Sequence, residues 1–158
     1  MSSIDPAFLI YVDRLRDGQT ESIDDQVPPD FLEVEDDNLR FDQPVKFTGQ
    51  AYLAQQELIL NLEVRTPALM PCRICNEWTE FAVHVPHLLH VEPTDELKRG
   101  YVDLRPVLRE AILLQLPHTV ECSGGHCPKR KEIQPYLKDG HSDSSSKNEG
   151  YKPFEHLN

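Results

Sequence analysis

The residues of this chain whose types and spacing could do chemistry are its four cysteines. Cys72 and Cys75 form a Cys-x-x-Cys pair inside Met70-Pro71-Cys72-Arg73-Ile74-Cys75-Asn76-Glu77-Trp78. Cys122 and Cys127 follow in a Gly-rich stretch after 46 intervening residues. A Cys-x-x-Cys turn puts two sulfurs on one side of a tight bend, where one tetrahedral metal can take both. With Cys122 and Cys127 brought up by the fold, the four would close a structural zinc site with one ion. The alternative is four reduced, metal-free thiols, because such a pair alone is common in proteins that bind nothing. A thiol redox role for Cys72 and Cys75 would need a low-pKa thiolate, commonly at a helix N-terminus in a βαβ setting. The flanking sequence does not read that way.

Those sulfurs must be positioned by strands. Val45, Phe47, Gly49, Ala51 and Leu53 alternate with Lys46, Thr48 and Gln50. Leu58, Leu60, Leu62 and Val64 repeat the alternation after a Gln55-Gln56 loop, and Phe81, Val83 and Val85 repeat it after the first cysteine turn. Period-2 patterning in three successive runs predicts an antiparallel meander over 45–91 with one buried face. The Cys72–Cys75 turn then joins its second and third strands. Phe8-Leu9-Ile10-Tyr11-Val12 reads as a further short strand, and Asp17-Gly18 as a turn.

A helix is predicted over 103–117, capped by Asp103, with Pro106 in its first turn and Pro117 as its stop. Leu104, Val107, Leu108, Ala111, Ile112 and Gln115 form a stripe that packs on the meander, leaving Arg105 and Arg109 on a solvated outer side. The second cysteine turn occupies 118–131. The fold class is therefore α+β: an antiparallel meander packed by one main C-terminal helix, with a cysteine knuckle. One domain covers 1–138, and a low-complexity flexible tail covers 139–158. That tail ends in Tyr151-Lys-Pro-Phe-Glu-His-Leu157, an aromatic-bearing tip suited either to docking a partner or to folding back.

Charge divides the chain. Net charge is −11, and the segment 17–42 holds ten acids against Arg40 alone. With Pro28-Pro29 in it, this segment reads as a surface crossing pinned at Phe31, Leu32 and Val34. Asp24, Asp25, Asp36 and Asp37 are its candidate contacts to a basic protein, against the plainer reading of a solvated face. Any nucleic-acid contact falls to the C-terminal half, where Lys129-Arg130-Lys131 is the candidate. No apolar run of about 18 residues exists, and the first residues lack a signal-peptide pattern, so a cytoplasmic protein is expected. Phosphate-binding Gly loops, Gly-x-Ser-x-Gly and His-Glu-x-x-His are absent. His84, His87 and His90 fall within a strand pattern, and no isolated carboxylate pair suggests general acid–base work. A non-enzymatic protein without a small-molecule substrate is expected.

The ordered set of segments resembles the YceD-like family of bacterial large-subunit ribosomal RNA accumulation proteins. The likeness runs through Leu15 to Gly18, Phe41-Asp-Gln-Pro-Val-Lys-Phe-Thr-Gly49, Cys72-Arg-Ile-Cys75 and the Asp103-Leu104 helix start. It continues through Glu110-Ala-Ile-Leu-Leu-Gln-Leu-Pro117, the Cys122/Cys127 turn and the closing Lys152-Pro-Phe-Glu-His-Leu157. The resemblance implies a role in synthesis, processing or stability of the large-subunit (23S) ribosomal RNA, hence in ribosome biogenesis, without an established enzymatic activity. Its implied partners are that RNA or a basic ribosomal protein. Many relatives carry a further Cys-x-x-Cys-Gly after the position of Cys127, where this chain has Pro128-Lys-Arg-Lys131. A zinc-stabilised adaptor unrelated to ribosomes is the competing reading.

Overall fold

A computed structural model describes residues 3–137. The tail expected over 139–158, with its closing aromatic tip, lies outside the described residues. The described chain is α+β, with antiparallel strands in two sheets and a helix packed against them. The main sheet has the order β2-β3-β4-β5, formed by β2 (Thr20–Val27), β3 (Val45–Ala54), β4 (Glu57–Pro71) and β5 (Trp78–Pro93). β1 (Leu9–Tyr11) and β6 (Tyr101–Asp103) make the second sheet.

The meander follows the predicted alternation. Val45, Phe47, Ala51, Leu58, Leu60, Leu62 and Val64 are buried, while Leu53 at the end of the row is half-buried. Gln55 and Gln56 both adopt left-handed φ, 48° and 67°, as the two-residue turn of a tightly twisted hairpin requires. β3 and β4 approach so closely at the Gly49–Leu62 pair that a Cβ on Gly49 would overlap the carbonyl oxygen of Asn61. It would also lie 2.9 Å from the Cα of Leu62. Gly49→Ala is therefore expected to cost about 2–3 kcal/mol, because the obstacle is backbone of the next strand and cannot step aside. Urea denaturation measures this; an unchanged midpoint would mean the strands are not locked at this pair.

Two sequence expectations change here. The acidic segment is not only a surface crossing, for its residues 20–27 are the edge strand β2, paired along its length with β3. Two apolar side chains, Ile23 and Val27, hold it down, and the acids around them hid the alternation. Acids on an edge strand also discourage further strand pairing. The second change concerns α1 (Leu104–Leu114). The Asp103 side chain accepts from the Arg105 N–H at 3.0 Å, as an N-cap should, and Leu104, Leu108 and Ile112 are fully buried. Gln115, however, is exposed and lies beyond the helix, which ends three residues before Pro117. Both arginines lie on the outer side, Arg109 exposed and Arg105 half-buried, but each is engaged: Arg105 grips Asp103, and Arg109 Nε donates to the Leu32 carbonyl at 2.7 Å, closing the end of the 3-10 turn Pro29–Leu32 against α1.

Phe8, just before β1, packs on Phe31 with ring centroids 4.9 Å apart and planes tilted by 58°, so the N-terminal residues and the middle of the acidic segment share the core with α1. Among the described residues, no helix is long and apolar enough to cross a membrane.

Candidate metal centre

The first cysteine pair sits at the tip of the long β4–β5 hairpin. Cys72 N donates to the Glu77 carbonyl and Asn76 N to the Cys72 carbonyl, each at 2.8 Å, and Asn76 takes a left-handed φ of 61° to close the bend. The second pair comes from the chain leaving α1. Val120 runs parallel to Cys72 in a single bridge, with Arg73 N donating to the Val120 carbonyl at 2.8 Å. The next turn, α2 (Cys122–Gly125), is broken by left-handed backbone at Ser123 and Gly124, which swings Cys127 back towards the tip. A helix the sequence reading did not anticipate, α3 (Arg130–Leu137), begins after Pro128 and Lys129.

These turns bring together all four sulfurs. They lie within 4.8 Å of one another, with Cys72 and Cys127 buried and Cys75 and Cys122 half-buried, in a group that could hold a metal ion. No disulfide joins them. Two backbone N–H groups point at Cys72 Sγ, that of Cys122 at 3.3 Å and that of Ile74 at 3.4 Å. Burial alone would raise the Cys72 thiol, but donors at Cys122, Cys75 and Ile74 outweigh it and bring it down to about 6. Cys122 is pushed up to about 12, first by its neighbour Cys127 and then by burial, because a second or third thiolate beside the first is repelled. Burial likewise raises Cys127. Without a cation the cluster thus favours a negative charge on Cys72 and disfavours one on Cys122 or Cys127. A metal ion reverses that resistance, since it ionises the thiols it binds.

Beside the sulfurs lies a brace that the sequence reading missed. Glu121 Oε1 and Oε2 accept from Arg130 Nε and Nη2, both at 2.9 Å, and Oε1 also accepts from the Cys127 N–H at 3.2 Å. Arg73 approaches the same carboxylate at 3.7 Å. The one signal for it in the sequence is an acid directly before Cys122 and an arginine shortly after Cys127. Arg130 therefore differs from its neighbours in the basic triplet: it is half-buried and paired, whereas Lys129 and Lys131 are exposed and form no ion pair among the described residues. The tip also carries Trp78, with the Arg40 guanidinium 4.2 Å above its ring.

The acidic candidates are not brought to one face. Asp24 is exposed and Asp25 half-buried on opposite sides of β2, while Asp36 and Asp37 are exposed in the loop that follows the 3-10 turn. Glu63, on the outer face of β4, is shared by Arg65 and His84 at 2.7 and 2.8 Å, which gives His84 a surface hydrogen-bond partner.

Two outcomes follow for the brace. Arg130 lowers the Glu121 carboxyl to about 2, with the Cys127 N–H and Arg73 helping against burial. Its folded value lies below its unfolded one, so the contribution is complete above about pH 4.5 and fades as pH falls towards 2. Arg130→Ala should leave the Glu121 charge answered only by the Cys127 N–H and the more distant Arg73. The variant's melting temperature is then expected to lie below the wild type's near pH 7, and the difference should shrink on acidification towards pH 2. Equal melting temperatures at pH 7 would show that the pair does not brace the site.

Comparison with protein-family models, curated proteins and solved structures found no match to the chain.

Proposed function

We propose that Cys72, Cys75, Cys122 and Cys127 hold one structural zinc ion, and that the domain serves as a non-enzymatic factor in large-subunit ribosomal RNA accumulation and ribosome assembly. The sulfur geometry carries the first part. Four thiolates at the usual Zn–S length of about 2.3 Å in a tetrahedron stand about 3.8 Å apart. The Cys75 and Cys122 sulfurs are 3.8 Å apart, and all four fall within 4.8 Å. All four positions of a tetrahedral ion would be filled by protein, which is the arrangement of structural rather than catalytic zinc. The ion would tie the tip of the β4–β5 hairpin to the chain leaving α1.

The ribosomal part rests on the ordered resemblance to the YceD-like family. A cytoplasmic setting belongs to the same reading, as does a partner that is either large-subunit RNA or a basic ribosomal protein. Loss of the protein should lower mature large-subunit RNA relative to small-subunit RNA, and the protein should co-sediment with large-subunit precursors. Normal ratios in a complete knockout lacking a redundant relative would leave the adaptor reading in its place. The contact surface is separable by charge. Lys129→Ala with Lys131→Ala spares the Arg130–Glu121 brace; if these lysines meet phosphates, it should make the log–log salt dependence of RNA binding shallower by up to about one unit per lost contact. Reversal of Asp24, Asp25, Asp36 and Asp37 to lysine should instead weaken a basic protein partner and leave RNA binding no weaker.

A further inference from the structure

The four cysteines are not equally exposed. Cys72 and Cys127 are buried, 2% and 4% exposed, and Cys72 Sγ is covered by the backbone N–H groups of Cys122 and Ile74. Cys75 and Cys122 are half-buried, their neighbours Asn76 and Ser123 are exposed, and their sulfurs stand 3.8 Å apart. The more exposed pair therefore joins two segments, since Cys75 lies on the turn between β4 and β5 and Cys122 on the chain after α1. Hydrogen bonds already hold those segments together, from Cys122 N to Cys72 Sγ at 3.3 Å and from Arg73 N to the Val120 carbonyl at 2.8 Å. A disulfide sets its sulfurs about 2.05 Å apart, so closure asks Cys75 and Cys122 to approach by about 1.8 Å.

We propose that Cys75 and Cys122 are an oxidation site: hydrogen peroxide converts them to a disulfide, which takes over from the metal as the tie between the two segments. One of the two thiolates attacks the peroxide. An S–O bond forms as the O–O bond breaks, and the departing hydroxide takes up a proton to become water. The other thiolate then attacks the sulfenic sulfur; the S–S bond forms, the S–O bond breaks, and a second hydroxide leaves as water on taking up a proton. Two electrons pass from the sulfurs to the peroxide. Cys72 and Cys127 remain, two protein ligands in place of the four that close a structural site, so the ion is released. The hairpin tip stays joined to the chain after α1 in both states, through the ion when reduced and through a covalent bond when oxidised. Release of the ion rests on the zinc reading above, whereas the choice of pair rests on exposure and sulfur distance. The Cys72–Cys75 pair of the Cys-x-x-Cys motif is not the one that oxidises.

Hydrogen peroxide treatment of the full chain tests the proposal, with zinc content measured first. Remaining thiols are alkylated, non-reducing digests are mapped by mass spectrometry, and released zinc is followed with a chromogenic chelator. The wild type should give one intramolecular Cys75–Cys122 disulfide, with Cys72 and Cys127 alkylated and one zinc released per disulfide. Dithiothreitol and added zinc should restore the starting state. Cys122→Ser should form any disulfide about tenfold more slowly, because Cys75 has lost the thiol that resolves its sulfenic acid. A Cys72–Cys75 or Cys72–Cys127 disulfide, a cross-link between chains, or sulfinic acid in place of a disulfide overturns the proposal. So do zinc retained after the disulfide has formed, an unchanged rate in Cys122→Ser, and unreacted thiols at a peroxide excess that oxidises free cysteine. Protein that carries no zinc yet yields the Cys75–Cys122 disulfide keeps the oxidation site and overturns the zinc reading instead.

Discussion

Replacing Leu108 by aspartate is expected to abolish folding of the domain. Leu108 is fully buried at the centre of the α1 stripe, between Leu104 and Ile112, and the core around it is apolar. Removing a buried leucine side chain alone costs about 2–5 kcal/mol. A carboxylate there adds the cost of an unpaired buried polar or charged group, at least another 2 kcal/mol or so. Set against a typical total stability of about 5–15 kcal/mol, the sum removes most or all of it. Circular dichroism should lose its cooperative thermal transition. A transition within a few degrees of the wild type would mean that α1 does not pack on the sheet as described.

Cys72→Ser should have the second largest effect, and it separates the metal from the rest of the core. Cys72 is buried and its sulfur accepts two backbone N–H groups that favour the thiolate, so its loss would remove the anchor of the proposed site. Where free zinc stands about a thousandfold above its dissociation constant, binding stabilises the fold by about 4 kcal/mol. At about 2–4 °C per kcal/mol for a domain of this size, the melting temperature should fall by roughly 8–16 °C. Chelation of the wild type should lower it by a similar amount and leave Cys72→Ser nearly unchanged. The single tryptophan, Trp78, follows the turn directly and should report the change in its emission. A chelator that moves neither signal would assign the cysteines to metal-free thiols.

What the sequence made legible was set by how strongly each segment's own pattern spoke. β3 and β4 alternate cleanly because one face is buried and the other meets water, so their inward face could be read from Val45 to Val64. The start of α1 was equally plain, with Asp103 as cap, but the pattern carried the stripe to Gln115, past Ile112, the last buried residue of the helix. β2 was not plain, since an edge strand needs few buried side chains and Ile23 and Val27 stand among acids. β6 has three residues, too few to show a period. The cysteines could be named as one candidate set, but not their convergence, because the Cys72–Val120 bridge joins segments far apart in the chain. The roles of Arg109 and Arg130 were out of reach for the same reason. Each satisfies a group that only the folded chain brings near: the Leu32 carbonyl for one and the Glu121 carboxylate for the other.

Metal content tests most directly the proposed four-cysteine zinc centre, which would tie the β4–β5 tip to the chain after α1. Protein purified without chelators should contain one zinc per chain by elemental analysis, and native mass spectrometry should show the same ion bound with all four thiols reduced. Zinc-free protein with four titratable thiols and an unchanged melting temperature on adding zinc would contradict it.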